Sequence, residues 1–303
     1  MTKIAQTVAP NPGKFETWLL AARPKTLWAS IAPVLMGTAM AFADGKAHWL
    51  AAAAALVGSM LIQIGTNLAN DYFDYLHGAD THERLGPTRA TQAGLVKPGT
   101  MKRAFMLTFA LAFAVGMYLV WRGGWPVFAL GMLSILFGVL YTGGPYPLGY
   151  NGLGDIFVLI FFGPVAVGGT YYVQALEINS IVILAGLAPG LISVALLTVN
   201  NLRDIHTDRK TGKRTLTVRF GANFARLEYL LCILLACLLP VALTILKGGN
   251  YYSLITIGVL LFAIPAIRTV FRESGSPVLN EALARTGKML LIYSILFSIG
   301  WVM

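Results

Sequence analysis

Apolar residues recur along this chain in runs too long for the core of a soluble domain. Stretches close to the ~20 residues that cross a bilayer as a helix fall at 26–43, 49–69, 103–121, 125–142, 153–175, 180–200, 226–246, 251–271 and 287–303. The pattern predicts an all-α, polytopic membrane protein with nine transmembrane helices. Ahead of the first run, residues 1–15, with Pro10-Asn11-Pro12-Gly13, read as a mobile tail without a signal-peptide pattern. Phe15 to Ala22 suit a short interfacial helix with Trp18 and Leu19 toward lipid. The expected organisation is an N-terminal cytoplasmic segment, 1–22, and a single transmembrane domain, 23–303.

Composition supports the same class. Of 303 residues, 56% are hydrophobic and 12% charged, half the roughly 25% charge of a soluble domain, and the mean hydropathy is +0.69. A net charge of +10 on so apolar a chain does not describe a nucleic-acid-binding surface, and nothing in the pattern points to an obligate protein partner. The partner it requires is the lipid bilayer. With nine spans, 20 of the 23 Lys and Arg fall on the N-terminal side of the membrane, against Lys46, Arg122 and Lys247 opposite. The positive-inside rule then places the N-terminus in the cytoplasm and the C-terminus outside. Cys232 and Cys237 share one apolar run and read as small packed hydrophobes.

Two long connections interrupt the apolar pattern, near 70–102 and 201–225, both on the basic face. The first opens with Asn67-Leu68-Ala69-Asn70-Asp71-Tyr72-Phe73-Asp74, the second with Asn200-Asn201-Leu202-Arg203-Asp204-Ile205-His206-Thr207-Asp208. If the helices continue through these bursts, Asn67, Asp71 and Asp74 form one stripe, as do Asn200, Asp204 and Asp208. The two stripes lie four spans apart and so emerge on the same face, like a weak parallel duplication. Ionisable residues at the edge of a membrane usually line a site. Carboxylates without thiolates or clustered histidines suit Mg²⁺, which completes its shell with water and phosphate oxygens. Cations follow each stripe: Arg84, Arg89 and Lys97, then Arg209, Lys210, Lys213 and Arg214. Acids for a metal and cations for phosphate are the parts needed to handle a diphosphate; a phosphate-cradling Gly-Lys-Ser/Thr loop is absent from the sequence. His77, His82 and His206 read as bystanders. On the same face, Tyr141-Thr142-Gly143-Gly144-Pro145-Tyr146-Pro147 predicts a fixed turn. Asp155 after it is either a helix N-cap or a further acid at the site.

The motifs Asn70-Asp71-Tyr72-Phe73-Asp74 and Asp204-Ile205-His206-Thr207-Asp208 resemble the two aspartate-rich motifs of the UbiA superfamily of intramembrane prenyltransferases. The resemblance runs from Arg23-Pro24-Lys25-Thr26 to the last span. With Gly78-Ala79-Asp80, Arg84-Leu85-Gly86-Pro87 and the Tyr141–Pro147 turn, it is greatest to the branch that prenylates 1,4-dihydroxy-2-naphthoate in menaquinone biosynthesis. The superfamily pattern has a third Asp where this chain has Gly78; Asp80 follows two residues later. The resemblance implies a nine-helix bundle around a cytoplasm-facing acidic cavity in the bacterial inner membrane. It implies Mg²⁺ held by Asp71, Asp74, Asp204 and Asp208, with Asp80 beside them, and these first four acids as the catalytic set. Asn67, Asn70, Arg84, Arg89, Lys97, Asn200, Asn201, Lys210, Lys213, Arg214, Tyr141 and Asp155 would bind polyprenyl diphosphate and the naphthoate. Loss of diphosphate would give an allylic cation, stabilised by the site's charges. The electron-rich ring would attack it and lose CO₂, giving demethylmenaquinone, with the isoprenoid tail in lipid. Other aromatic acceptors, 4-hydroxybenzoate or homogentisate among them, remain alternatives within the superfamily. An ion-coupled transporter is the alternative outside it, although these acids sit at helix ends and the duplication is parallel.

Overall fold

The computed structural model describes residues 12–79, 85–249 and 251–303, which are helical throughout apart from turns and connections, with no strand among them. Helix α1 (Lys14–Ala22) meets α2 (Trp28–Ala43) at a bend of 49°. Phe15, Trp18 and Leu19 are exposed on α1 while Thr17 and Ala21 are buried, as an interfacial helix requires. Then follow α3 (Trp49–Leu76), α4 (Pro98–Gly123) and α5 (Trp125–Leu140). The predicted fifth span is a broken rod, in which α6 (Gly154–Ile160) and α7 (Ala166–Ala175) flank a π-turn at Phe161–Val165. The remaining elements are α8 (Ser180–Arg203), the short α9 (Ile205–Lys210) and α10 (Leu216–Phe220), then α11 (Ala222–Lys247), α12 (Val259–Arg272) behind a 3₁₀ stretch at Tyr251–Gly258, and α13 (Leu279–Val302).

Seven of these rods, among them the α6–α7 pair, are long and apolar enough to cross a membrane, and the bent α1–α2 pair makes up to eight. The fourth predicted segment, 125–142, forms an apolar helix of 16 residues, short because Tyr141 and the Gly-Pro turn end it. The last begins at Leu279 rather than 287, its first two turns being polar and thus silent in the apolar pattern. Helix α3 has 28 residues and is about 42 Å long, so its last turns, which carry the acids, reach past the ~30 Å hydrocarbon layer.

Two larger apolar clusters hold the bundle. One joins α2, α7, α8, α11, α12 and α13, with Cys232 and Cys237 as free, buried packing residues; the other lies between α1, α3, α4 and the segment 90–96, and a smaller third one joins Ala51, Leu119 and Val173. Helix α8 crosses the π-turn with backbones in contact. A Cβ added at Gly190 would stand 2.5 Å from the Leu159 carbonyl oxygen, and one at Gly186 2.8 Å from Pro164 Cα. Such approach through small residues is how membrane helices pack closely. Gly190→Ala is therefore expected to destabilise the protein by about 1–3 kcal/mol, seen as a lower unfolding midpoint in detergent. Gly116→Ala, where a Cβ meets open space, should leave the midpoint unchanged or slightly raised.

The ends of the bundle differ in chemistry. At one end Lys46 pairs with Glu177, and Arg122 donates to the carbonyls of Val173 and Gln174 at 2.7 and 3.0 Å. Lys247 lies over the Trp301 ring. The segments 85–97, 141–153, 204–220 and 273–280 gather at the other end, and there the two acidic stripes meet.

Candidate active site

Helix α3 continues through the first burst, and the expected stripe forms: Asn67, Asp71 and Asp74 are 3%, 1% and 1% exposed. Asn67 Nδ2 donates to the Ala22 carbonyl and to Thr26 Oγ1, each at 2.9 Å, tying α3 to the α1–α2 corner. Asn70 Oδ1 accepts the Thr142 hydroxyl at 2.8 Å. Asp71 accepts the backbone N–H of Ala90 and of Thr91 at 2.9 and 3.0 Å, so it fixes the connection that follows its own helix. Asp74 is ringed by donors: Arg89 Nη2 and the Tyr150 hydroxyl, each at 2.5 Å, and Lys213 Nζ at 3.6 Å.

The second stripe is less regular. Helix α8 stops at Arg203, and Asp204 (φ −95°, ψ 9°) breaks it before α9. Two backbone bonds, Asp204 N to Asn200 O at 3.1 Å and Asp208 N to Asp204 O at 2.8 Å, still span the joint, so Asp204 and Asp208 stay one turn apart and buried. Asp204 is gripped by the Arg203 guanidinium through two bonds of 2.8 and 2.6 Å, and Asn200 Oδ1 accepts from the same guanidinium at 2.8 Å. Asp208 lies 3.9 Å from Lys213 Nζ. One ammonium thus faces an acid from each stripe, 134 residues apart, while its charge also sits over the Tyr150 ring at 4.6 Å.

The other expected residues divide. Arg89 and Lys213 join the cluster, and Asn201 is buried on α8. Lys97 and Lys210 are exposed, and Lys97 has no bond to either stripe among the described residues. Arg214 is exposed too and contributes through its backbone, its N–H donating to the Tyr150 carbonyl at 2.7 Å. Asp80, Arg84 and His82 lie outside the described residues. Asp155 is not an N-cap: that position belongs to Leu153, and Asp155 sits in the first turn of α6, 7% exposed, with Oδ1 lacking a hydrogen-bond partner. His77 packs edge-on against Tyr150, and His206 against Gly275.

Below the stripes lies a cavity of about 390 Å³ between α2, α3, α4, α5 and the broken α6–α7 rod. Its wall is mostly apolar. Gln63, Thr66, Asn67 and Asn70 line it along successive turns of α3 leading toward Asp71 and Asp74, and Tyr141 joins them. None of the acids lines it among the described residues, so the expected acidic cavity is an apolar chamber with the carboxylates beyond its polar edge. Among the described residues no three acidic, His or Cys side chains are grouped closely enough for a metal ion; Asp74 and Asp208 meet across the Lys213 ammonium. Sequence reasoning missed Tyr150 and Arg203. Tyr150 lies three residues beyond the Tyr141–Pro147 turn, in the 3₁₀ stretch Leu148–Tyr150, and Arg203 had counted only as a topology charge.

A model of the UbiA prenyltransferase family matches residues 30–284. The chain belongs to that family. It is 40% identical over 297 residues to the 1,4-dihydroxy-2-naphthoate octaprenyltransferase of Escherichia coli, covering 94% of each chain. It is 38% identical to the protein of that name from Haemophilus influenzae, covering 95% of this chain and 96% of the relative. The fold matches solved UbiA homologues of Archaeoglobus fulgidus. One, bound to Cd²⁺, superposes with a TM-score of 0.67 at 13% identity; another, bound to geranyl diphosphate (GPP) and Mg²⁺, with 0.64 at 15%. Both alignments cover 94% of this chain and 99% of the other. The apolar rods and the family of this chain together make it an integral membrane protein.

Proposed function

We propose that this UbiA protein transfers a polyprenyl group from polyprenyl diphosphate to 1,4-dihydroxy-2-naphthoate, releasing diphosphate and CO₂. The observation that carries the site assignment is the convergence of Asp74 and Asp208, from two distant motifs, on the single cation of Lys213. Two carboxylates that already share one cation fit Mg²⁺, a hard ion commonly held by one or two carboxylates plus substrate phosphates. The relatives named for this naphthoate acceptor favour it over 4-hydroxybenzoate and homogentisate, and set aside the transporter reading.

In this reading Asp74 and Asp208 would hold the metal, with Asp71 and Asp204 shaping the segments around it; Asp80, which the resemblance adds to the set, lies outside the described residues. A Mg²⁺ held there would offer positive charge to a departing diphosphate. Arg89 and Lys213 stand beside the same carboxylates and neutralise further phosphate charge. The C1–O bond of the prenyl donor breaks with its electron pair going to diphosphate, and a C–C bond forms to the electron-rich ring. Loss of the ring carboxylate as CO₂ restores aromaticity and leaves the prenylated naphthoquinol, the reduced form of demethylmenaquinone. Asn67, Asn70 and Tyr141 line the apolar chamber and orient what enters it; its 390 Å³ holds the first isoprene units, and the rest of the tail lies in lipid. Asn200, Asn201, Lys210, Arg214, Arg84, Lys97 and Asp155 complete the substrate-binding set. With α5 counted as a crossing, the protein has nine spans around a site facing the cytoplasm of a bacterial inner membrane, the segment 1–22 inside and the C-terminus outside.

The test is product formation by purified protein with labelled polyprenyl diphosphate, Mg²⁺ and a panel of acceptors. Prenylation of dihydroxynaphthoate with release of labelled CO₂ from its carboxylate is expected, and chelation should stop it. Turnover of 4-hydroxybenzoate with dihydroxynaphthoate left unmodified would overturn the acceptor assignment.

A further inference from the structure

The end of α8, the start of α13 and the segment leaving Leu85 meet at one guanidinium. Arg203 is 1% exposed. Besides its two bonds to Asp204, Nη2 donates to Asn200 Oδ1 and Nη1 to Asn280 Oδ1, each at 2.8 Å. Asn280 uses the other half of its amide as well: Nδ2 donates to the Leu85 carbonyl at 2.9 Å. Leu85 begins the segment whose Arg89 pairs with Asp74 and whose Ala90 and Thr91 amides hold Asp71. The α12–α13 connection is keyed to the same joint independently. Gly275 N donates to the Leu202 carbonyl at 3.0 Å, and with φ +59° its missing Cβ leaves room for the His206 ring.

The joint needs such a brace. Because the helix breaks at Asp204, an unbroken backbone ladder does not aim α9, which carries Asp208. An arginine suits the role where a lysine would not, since its planar fork engages a carboxylate at two points while a third N–H reaches a neighbour. We propose that Arg203 and Asn280 are positioning residues of the active site: Arg203 sets the second acidic stripe, and Asn280 locks it to the segment that sets the first. This rests on the reading of the two stripes as the diphosphate and metal site.

The test uses purified full-length protein and three readouts: Mn²⁺ binding by electron paramagnetic resonance without substrates, hydrogen exchange in the segments 85–96 and 205–210, and kcat and KM. Arg203→Lys is expected to speed exchange in 205–210. Asn280→Asp keeps an acceptor for Arg203 but sets a carboxylate against the Leu85 carbonyl, so it should speed exchange in 85–96 alone. Asn280→Ala should loosen both segments. Each variant should weaken Mn²⁺ binding about 10-fold, the usual loss when a residue orienting metal ligands is removed, and should lower the unfolding midpoint, since each leaves a buried polar group poorly paired; the faster exchange confined to the named segments is what a general loss of stability would not give. Wild-type Mn²⁺ affinity and exchange in both Asn280 variants would overturn the proposal even if Arg203→Lys failed to fold. If the Mn²⁺ and exchange pattern held while the wild-type protein left dihydroxynaphthoate untouched, the brace would stand and the acceptor assignment would fall.

Discussion

Asp208→Asn is expected to lower kcat/KM for prenyl transfer by about 10³, the scale of losing one preorganised electrostatic partner of a developing charge. Asp208 is the acid to test first, because it joins the second motif to the Lys213 cation that Asp74 also faces. Asp71 holds two backbone N–H groups and Asp204 a buried guanidinium, so their loss disturbs segments as well as chemistry. Asp74 faces Arg89, Tyr150 and Lys213 at once, and stripping one partner from a buried pair costs about 3–5 kcal/mol of stability. Asp208 stands 3.9 Å from Lys213, and Asn is isosteric with it. The loss should therefore appear in turnover and in the Mg²⁺ concentration for half-maximal rate, with gel filtration and the unfolding midpoint unchanged. Near-normal product formation at low Mg²⁺ would remove Asp208 from the metal site.

How much of this was legible in the sequence depended on whether a contact lies within one helix or between helices. The i, i+4, i+7 spacing of Asn67, Asp71 and Asp74 is a property of α3 alone, and the structure buries all three together. The meeting of the stripes at one end could be argued from the even number of spans between them. Their partners could not. Tyr150 reaches Asp74 across 76 residues and Asn280 reaches Arg203 across 77, separations on which periodicity is silent. Arg203 was hidden for another reason: cations are expected on that face from topology alone, so a buried, structural arginine looks like an orientation signal, whereas Arg89 was expected at the site. The break at Asp204 has no local signature; the π-turn at Phe161–Val165 does, in the helix-breaking pair Gly163-Pro164, which an apolar-run reading passes over, and α8 crosses there with its own glycines. For Asp155 the sequence leaves two readings open, and the cap is the one that fails: the residue is buried in the first turn of α6 instead.

Lys213→Met should separate binding of the metal from its use. In the structure the Lys213 ammonium stands 3.6 Å from Asp74 and 3.9 Å from Asp208, held also by the Tyr150 ring. It occupies the gap between the stripes where a second cation would be most attracted, so a divalent ion binding there must displace it or share the carboxylates with it. At about 4 Å and an effective dielectric near 20, two unit charges interact with about 4 kcal/mol. Even a fraction of that, some 1.4 kcal/mol, is tenfold in affinity. Removing the ammonium leaves two carboxylates with one cation fewer between them, and Mn²⁺ used as the probe without diphosphate should bind about 10-fold more tightly. Turnover should move the other way, falling about 10²-fold, because the cation that would turn from the carboxylates to the departing diphosphate is gone. Arg89, which pairs with Asp74 from the other side, remains and accounts for the residual rate. Opposite signs for metal affinity and kcat are the signature: a lysine that merely braced the fold would weaken both, and a lysine serving diphosphate alone would leave Mn²⁺ binding unchanged.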